Sequence, residues 1–222
     1  MSTLKIEYMT ATATFPLTNS DLAEMAGPSG QVRFPASFDE FWGVLGDAEF
    51  NVEYFDHEII ATMSYETDFH SALATQVSYL LKSIFGGNKS FRVFNGNRAV
   101  CIPECEHAVF NPDGSVVALP SKVFEYRPGM TAELTPALIF EVLSKSTRSY
   151  DLADKLPCYK RISSLQQIIF VDGGRVEVSV WERSGADGRW LETRLDLPDD
   201  TFSVLGQPIR LSNIYEDTLL AS

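Results

Sequence analysis

Apolar residues recur with helical spacing at several places along the chain. One segment starts with Ser37 as a helix N-cap, continues with acidic residues in the first turn, and stops at Gly46. Residues 68–87 repeat the spacing over a longer stretch and close with a pair of glycines. The same reasoning predicts a helix over residues 149–162 and a short last helix over residues 212–217.

Strand patterns fill much of the remaining chain. Residues 51–64 alternate between apolar and polar positions, as two half-buried strands with a turn near Asp56 and His57 would. Residues 91–119 contain four short strand-like segments separated by turn residues, which predicts a meander or hairpin array. Three further strands are expected within residues 166–195. Together with the helices, this pattern predicts an α+β protein with a mixed sheet.

One strand stands out because it is apolar at almost every position. Residues 137–144 read ALIFEVLS, which is typical of a central strand that is buried on both faces. Glu141 interrupts this run, and an ionised carboxylate in such a strand costs several kcal/mol unless a cation or metal pairs with it. The alternative is a glutamate near the strand end that is exposed or paired with a lysine. Two apolar residues follow Glu141 before the polar stretch begins, so we favour the buried site.

The length and composition indicate one large globular domain. The chain has 222 residues, of which 45% are hydrophobic. Residues 1–35 mix Thr, Ser, Gly and Pro with little periodicity, so we expect an extended or partly ordered leader there and a single domain over residues 36–222. The sequence contains no apolar run long enough to span a bilayer. We therefore expect a cytoplasmic protein without a membrane partner.

The cysteines are too few and too irregular to define a structural module. Cys101, Cys105 and Cys158 are an odd number, which argues against a disulfide framework and favours a reducing compartment. Cys101, Cys105 and His107 are close in sequence but lack the second ligand pair of a structural zinc site. We interpret them as a loop with incidental cysteines.

The net charge of −12 argues against a nucleic-acid partner, because affinity for a polyanion comes mostly from basic residues. A local exception follows Glu141, where one short stretch holds several of the 18 lysines and arginines: Lys145, Arg148, Lys155, Lys160 and Arg161. This cluster is either a solvated helix face or a surface for phosphate groups. Its place beside a buried carboxylate keeps the second interpretation open.

Asp113 is a second candidate carboxylate, although its local sequence is ambiguous. It lies in FNPDGSVV, where Asn-Pro-Asp-Gly is typical of a turn. If Asp113 and Glu141 instead lie on neighbouring strands, their oxygens form the kind of site that Mg²⁺ prefers.

The predicted helix after Glu141 offers a cation. Asp151 and Lys155 are four residues apart on one helix face, and Tyr159 follows one turn later. The simplest interpretation is an ion pair with a packing tyrosine. In a nuclease, the ammonium of Lys155 would orient the attacking water and counter the charge on the phosphate. Pro157 should kink or shorten the helix.

These segments together resemble a known family. The Pro-Asp pair, EVLS beginning 28 residues after Asp113, STRSYDLADK and a following Tyr are similar to a widespread bacterial family of restriction endonuclease-like proteins. That family belongs to the PD-(D/E)xK nuclease superfamily. EYFDHEIIATMS, RVFNGNRAVCIP, SSLQQIIFVD and IRLSNIYE also match its layout, so the resemblance covers roughly residues 37–218.

The resemblance implies a restriction-endonuclease-like core, which is a mixed central β-sheet flanked by helices. It implies that Asp113 and Glu141 are metal ligands on adjacent strands. We expect one or two Mg²⁺ or Mn²⁺ ions there, with the backbone carbonyl of Val142 as a further ligand because it adds an oxygen without adding charge. The third position of the superfamily motif is Leu143 here, and Lys155 from the next helix takes the vacant lysine role.

Two more catalytic candidates and two departures come from the same comparison. Glu58 matches an acidic residue of the family's first strand pair, and His70 matches the histidine that opens its helix. His57 stands where the family usually has glycine, so we expect the turn before Glu58 to differ or to require a strained backbone. Gly114 replaces an apolar strand residue after the Pro-Asp pair, which we expect to loosen the strand that carries Asp113.

The sequence therefore predicts a Mg²⁺- or Mn²⁺-dependent endonuclease that hydrolyses phosphodiester bonds in DNA. A homodimer is also expected, because cutting both strands of a duplex favours two active sites. One alternative is a noncatalytic regulatory or binding protein on the same fold, which the acidic composition favours. Another is a hydrolase acting on a different phosphate ester, since fold alone does not determine the substrate.

Overall fold

The computed structural model of the protein describes residues 15, 18–26, 31–62, 68–185, 187–216 and 218. Its helices are α1 (Asn19–Ala26), α2 (Phe38–Leu45), α3 (Asp68–Phe85), α4 (Arg148–Tyr150), α5 (Leu156–Tyr159) and α6 (Leu211–Tyr215), with a π-helical turn (Asp151–Lys155) between α4 and α5. Its strands are β1 (Gln31–Pro35), β2 (Asn51–Phe55), β3 (Glu58–Thr62), β4 (Phe91–Asn95), β5 (Val100–Ile102), β6 (Ala108–Phe110), β7 (Gly114–Ala118), β8 (Val123–Arg127), β9 (Met130–Glu133), β10 (Pro136–Leu143), β11 (Gln167–Asp172), β12 (Val178–Ser184), β13 (Arg189–Leu195), β14 (Thr201–Val204) and β15 (Gln207–Arg210).

Within the described ranges, the strands form two large sheets and a hairpin. One sheet has seven strands in the order β1-β3-β2-β6-β5-β9-β8, and the other has six in the order β13-β12-β11-β10-β7-β4. The hairpin pairs β14 with β15 and was not predicted from the sequence. The predicted mixed sheet flanked by helices is confirmed, because α1 and α2 cover the outer face of the seven-stranded sheet while α3 and α6 cover that of the six-stranded sheet.

The predicted central strand is confirmed as β10, in which all eight residues are buried. It pairs in parallel with β11 and antiparallel with β7. Leu138, Phe140 and Val142 pack with α3, whereas Ile139 and Leu143 pack with α5 between the two sheets. Side chains alternate between the two faces of a strand, so Glu141 faces the interior between the sheets.

The four strands between residues 91 and 119 do not form one meander. β5 and β6 pair with each other in the seven-stranded sheet, whereas β4 pairs with β7 in the six-stranded sheet. The reason is packing: Val93 and Val116 contact the α3 layer, whereas Val100 and Phe110 pack between the sheets. The chain changes sheets at residues 111–113, where Pro112 has no N–H for a sheet hydrogen bond.

The N-terminal stretch contains regular structure where it is described. β1 pairs antiparallel with β3 and so adds an edge strand to the seven-stranded sheet. In α1, Leu22 is fully buried. The turn after β2 has positive φ at both Asp56 (52°) and His57 (61°), so the strain expected at His57 is present. The predicted last helix is α6, and Asp217 lies outside the described residues.

The expectation of reduced, incidental cysteines is wrong for two of the three. Cys105 and Cys158 form a disulfide with a Cα–Cα distance of 5.4 Å, and Cys101 is buried and free. Residues 103–107 link β5 to β6, and this link packs against α5, so tertiary packing brings together two thiols that lie 53 residues apart. Among the described helices, none is long and apolar enough to cross a membrane.

Candidate active site

Several elements converge where β7 begins beside β10. The antiparallel register places Gly114 opposite Phe140, so Asp113 lies next to Glu141 on the neighbouring strand. His70 enters from the first turn of α3, and the π-helical turn brings Lys155 from the side between the sheets. The site therefore depends on strand register and on helix docking together.

Two hydrogen bonds fix Asp113 against β10, one to Glu141 and one to Val142. The Asp113 N–H donates to Glu141 Oε2 at 3.1 Å, and the Val142 N–H donates to Asp113 Oδ2 at 2.6 Å. His70 Nε2 also lies 3.3 Å from Asp113 Oδ2. The carboxylate of Asp113 thus faces β10, although its local sequence resembles a turn.

Gly114 tightens this arrangement rather than loosening it, so the expectation of a loosened strand is wrong. A Cβ at Gly114 would lie 2.3 Å from Phe140 Cε1 and 2.9 Å from the Phe94 carbonyl oxygen. Only glycine allows β7 to approach the Phe140 ring so closely. This close approach sets the position of Asp113, the preceding residue.

Glu141 is a buried acid with partners on both carboxylate oxygens. It is 3% exposed, and its Oε1 lies 3.2 Å from Lys155 Nζ and accepts a 2.7 Å hydrogen bond from the Tyr159 hydroxyl. Burial raises the pKa of Glu141 to about 8, and the nearby Asp151 and Asp113 act in the same direction, while Lys155 and Tyr159 oppose them. The environment therefore favours any additional positive charge near Oε2 or Asp113.

Lys155 sits at the centre of three carboxylates. Its Nζ lies 3.2 Å from an oxygen of Glu141, of Glu53 and of Asp151, and its side chain is buried. Burial alone would lower the pKa of Lys155, but Glu141, Glu53 and Asp151 raise it well above the ordinary value. An ammonium has three N–H donors, and here three carboxylates surround them. Lys155 is therefore a fixed internal cation.

Glu53 is a site residue that the sequence reasoning missed. On β2 it lies between Val52 and Tyr54, which pack against α1 and α2, so alternation alone suggests that it faces solvent. The second sheet covers that face, and Glu53 is only 7% exposed. Its Oε1 also accepts the Asn111 N–H at 2.7 Å, which ties the segment before Asp113 to the same cluster.

The π-helical turn explains how a helix containing Pro157 can carry these groups. The Leu156 N–H donates to the Asp151 carbonyl oxygen, five residues earlier, and Pro157 follows at the start of α5. Single π-helical turns often occur at functional sites. The wider turn ends just before Pro157, so both Lys155 and Tyr159 reach Glu141.

Glu58 lies apart from this group. Its carboxylate pairs with Arg33 at 3.5 Å, and the same guanidinium contacts Asp154 at 3.0 Å. The side chains of all three are about one-third exposed. The structure thus joins Asp113, Glu141, Lys155 and His70, and it places Glu58 in a peripheral ion-pair network.

Side chains alone do not enclose a metal here. Across the described segments, no group of three or more His, Cys, Asp or Glu residues is arranged to hold a metal ion. Backbone oxygen is available as well. The Val142 N–H donates to Asp113, and the N–H and C=O of one strand residue point to the same edge of the strand, so the Val142 carbonyl also faces Asp113. The pairing of β10 with β7 ends at Phe140, two residues earlier.

Comparison with solved structures shows the class of fold. The chain superposes on the crystal structure of "a putative nuclease belonging to DUF820" from Anabaena variabilis with a TM-score of 0.61 and 16% identity, covering 79% of this chain and 97% of that one. Two uncharacterized proteins of Synechocystis sp. are each 30% identical, over 143 and 139 residues. These matches cover 64% and 63% of this chain and 77% and 69% of the relatives. The fold is the restriction-endonuclease-like α+β fold that the sequence resemblance implied.

A family model matches residues 38–213. The chain belongs to the Uma2 family, which is described as "Putative restriction endonuclease".

Proposed function

We propose that this protein is a Mg²⁺- or Mn²⁺-dependent endonuclease that hydrolyses phosphodiester bonds in DNA. The observation that carries the proposal is the pair of carboxylates on neighbouring strands: the Asp113 N–H donates to Glu141 Oε2, and the Asp113 carboxylate accepts the N–H of Val142, the residue after Glu141. Lys155, the cation beside Glu141, is shared among three carboxylates, and Asp113 adds a further acid next to Glu141, so the arrangement favours another cation near Asp113 and Glu141.

The donor set fits a hard divalent cation. Asp113, Glu141 and the Val142 carbonyl would hold it with oxygen ligands, which Mg²⁺ and Mn²⁺ prefer. When bound, such an ion polarises a phosphoryl oxygen and makes water a better nucleophile at neutral pH. Hydrolysis forms a bond from the water oxygen to phosphorus and breaks a phosphorus–oxygen ester bond, whose leaving oxygen takes up a proton.

The remaining residues orient the ligands. Lys155 holds Glu141 in place through the 3.2 Å contact and supplies positive charge in the interior, so we propose it as a positioning residue. Its sequence-based role in orienting the attacking water stays a prediction, because its Nζ is already surrounded by carboxylates. His70, 3.3 Å from Asp113, orients that carboxylate from the outer side.

Plasmid cleavage tests the proposal. Asp113→Asn and Glu141→Gln keep the size of each side chain while removing its charge, and we expect both to abolish Mg²⁺-dependent cleavage of supercoiled DNA. Glu58→Gln is expected to cleave like the unaltered protein, because Glu58 pairs with Arg33 at the periphery. Glu24→Gln, on the exposed side of α1, is a matched control. Full cleavage by Asp113→Asn and Glu141→Gln would refute the site.

A noncatalytic binding protein is the second candidate, and the net charge of −12 favours it. It predicts a folded protein that binds a partner and does not cleave DNA at any metal concentration. The expected homodimer, the cytoplasmic location and the domain start near residue 36 stay predictions.

A further inference from the structure

A cavity whose lining includes three lysine and arginine residues opens beside His70. It has a volume of about 700 Å³, and its lining includes His70, Lys145, Arg148 and Arg175. We call the part formed by Lys145, Arg148 and Arg175 the basic pocket. It is a local concentration of positive charge in a chain whose net charge is −12.

The topology of the six-stranded sheet creates this pocket. β10 and β11 are parallel, so their carboxyl ends meet at the same edge, with Leu143 beside Asp172. The segment after β10 carries Lys145 and Arg148, and the segment after β11 carries Arg175. Ligands of α/β sheets commonly bind at the carboxyl ends of parallel strands.

Asp172 fixes the two arginines of the pocket. This aspartate is 4% exposed, and its Oδ2 contacts Arg148 and also lies 3.3 Å from Arg175 Nε. Its Oδ1 accepts the Gly174 N–H at 2.8 Å. A buried carboxylate with these partners acts as an anchor that holds two guanidinium groups at the pocket wall.

The cations keep donors for another anion. The side chains of Arg148 and Arg175 are 38% and 62% exposed, and a guanidinium has five N–H donors, of which these ion pairs use only some. Glu177 takes one of them, at 2.8 Å from Arg175 Nη2. Lys145 is exposed and forms no salt bridge with any other described residue. The pocket therefore keeps N–H donors that can bind the oxygens of a phosphate.

His70 connects the pocket to the candidate active site. Its side chain lines the same cavity, and its Nε2 lies 3.3 Å from Asp113 Oδ2. Through His70, a polyanion in the basic pocket would lie next to Asp113 of the carboxylate pair. The acidic net charge of the chain argued against a nucleic-acid partner, but phosphate groups contact only the residues near them. A local group of basic residues can therefore bind them even in an acidic chain.

We propose that the basic pocket binds the phosphodiester backbone of DNA next to the bond that is cut. This inference rests on the proposed nuclease function and adds the substrate-binding residues. Arginine and lysine contacts to phosphate position a nucleic acid without reading its sequence. The pocket is therefore expected to contribute affinity and register rather than base specificity.

The test measures DNA binding by fluorescence anisotropy over a series of salt concentrations, using a fluorescein-labelled DNA duplex and protein without added metal. Lys145→Ala and Arg175→Ala remove exposed charges, so neither should disturb folding. Each is expected to weaken binding about tenfold and to lower the slope of log affinity against log salt by about 0.9.

Arg189→Ala provides a matched control. Arg189 lies on β13, and its side chain is 81% exposed. In the register of β13 against β12, Arg189 is opposite Ser184 at one end, and Leu195 is opposite Val178 at the other end, near the pocket. Six residues of strand place Arg189 about 20 Å further along the sheet. This variant is expected to keep both the affinity and the salt dependence of the unaltered protein.

The possible results distinguish failure of the pocket proposal from failure of the proposed nuclease function. If the protein binds and cleaves DNA but the pocket variants bind like the Arg189→Ala control, the pocket proposal is overturned and the nuclease stands. If the unaltered protein neither binds nor cleaves DNA, the nuclease proposal is overturned. Labelled single-stranded DNA and RNA extend the test. Binding of RNA alone, lost in the pocket variants, would support a phosphodiester pocket and refute DNA as its substrate.

Discussion

Replacing Lys155 with methionine tests the charge cluster around Glu141 directly. The two side chains have similar length, so the substitution removes the ammonium while largely keeping the packing. In the unaltered protein, Lys155 Nζ lies 3.2 Å from oxygens of Glu141, Glu53 and Asp151. The variant therefore leaves three buried acids without their shared cation.

The expected loss of stability follows from this geometry. Removing one partner of a buried ion pair costs about 3–5 kcal/mol, because the remaining charge stays buried and uncompensated. For a chain of this size, each kcal/mol lowers the melting temperature by about 2–4 °C, so the expected drop is about 6–20 °C. The substitution Lys82→Met, on the exposed side of α3, should change stability by no more than about 0.5 kcal/mol.

Thermal unfolding followed by circular dichroism measures this difference. The double variant Lys155→Met/Glu53→Gln removes one of the unpaired acids, so it should recover part of the lost stability. If Lys155 positions Glu141, DNA cleavage stays lost in the double variant at a temperature where it is folded. A melting temperature for Lys155→Met equal to that of Lys82→Met would refute the reasoning, and recovered cleavage would refute the positioning role.

Three further perturbations test separate parts of the structure. Gly114→Ala places a Cβ 2.3 Å from a ring carbon of Phe140, so it should lower the free energy of unfolding, measured in urea, by about 1–3 kcal/mol. Gly87→Ala has no atom within 4 Å of the added Cβ and should not lower it. Equal stability of the two variants would contradict the close approach. Cys105→Ser opens the link to Cys158, 53 residues away, and should cost about 4 kcal/mol; dithiothreitol should lower the melting temperature of the unaltered protein but not that of the variant. Finally, Mn²⁺ at a hundred times its dissociation constant should stabilise the protein by about 2.7 kcal/mol, and no rise in melting temperature at saturating Mn²⁺ would count against the metal site.

Local periodicity was enough to predict most elements of the fold. Ser37 caps α2 and accepts a hydrogen bond from the Glu40 N–H, as its position in the sequence indicated. The turn at residues 56–57 and the buried strand β10 are where the alternation and the apolar run placed them. These features depend on residues a few positions apart, so a single stretch of sequence contains the information that forms them.

The candidate site was only partly predictable, because it depends on contacts between residues that are far apart in the chain. Glu141 could be singled out because a carboxylate inside an apolar strand is locally anomalous. Asp113 could not be separated from a turn residue until the register of β7 against β10 was known. Gly114 looked like a weak point, although the Phe140 ring on the facing strand is what requires it.

By itself, then, the sequence determined α2, α3 and α6, the central strand with its buried acid, and the resemblance that implied the fold. Only the tertiary structure decided that the strands divide between two sheets and that Glu53 turns inward to Lys155. It also decided that Cys105 meets Cys158 and that the segments after β10 and β11 form one basic pocket. Each of these depends on which layers stack against each other. Contacts between layers join residues far apart in the chain, and no local pattern records them.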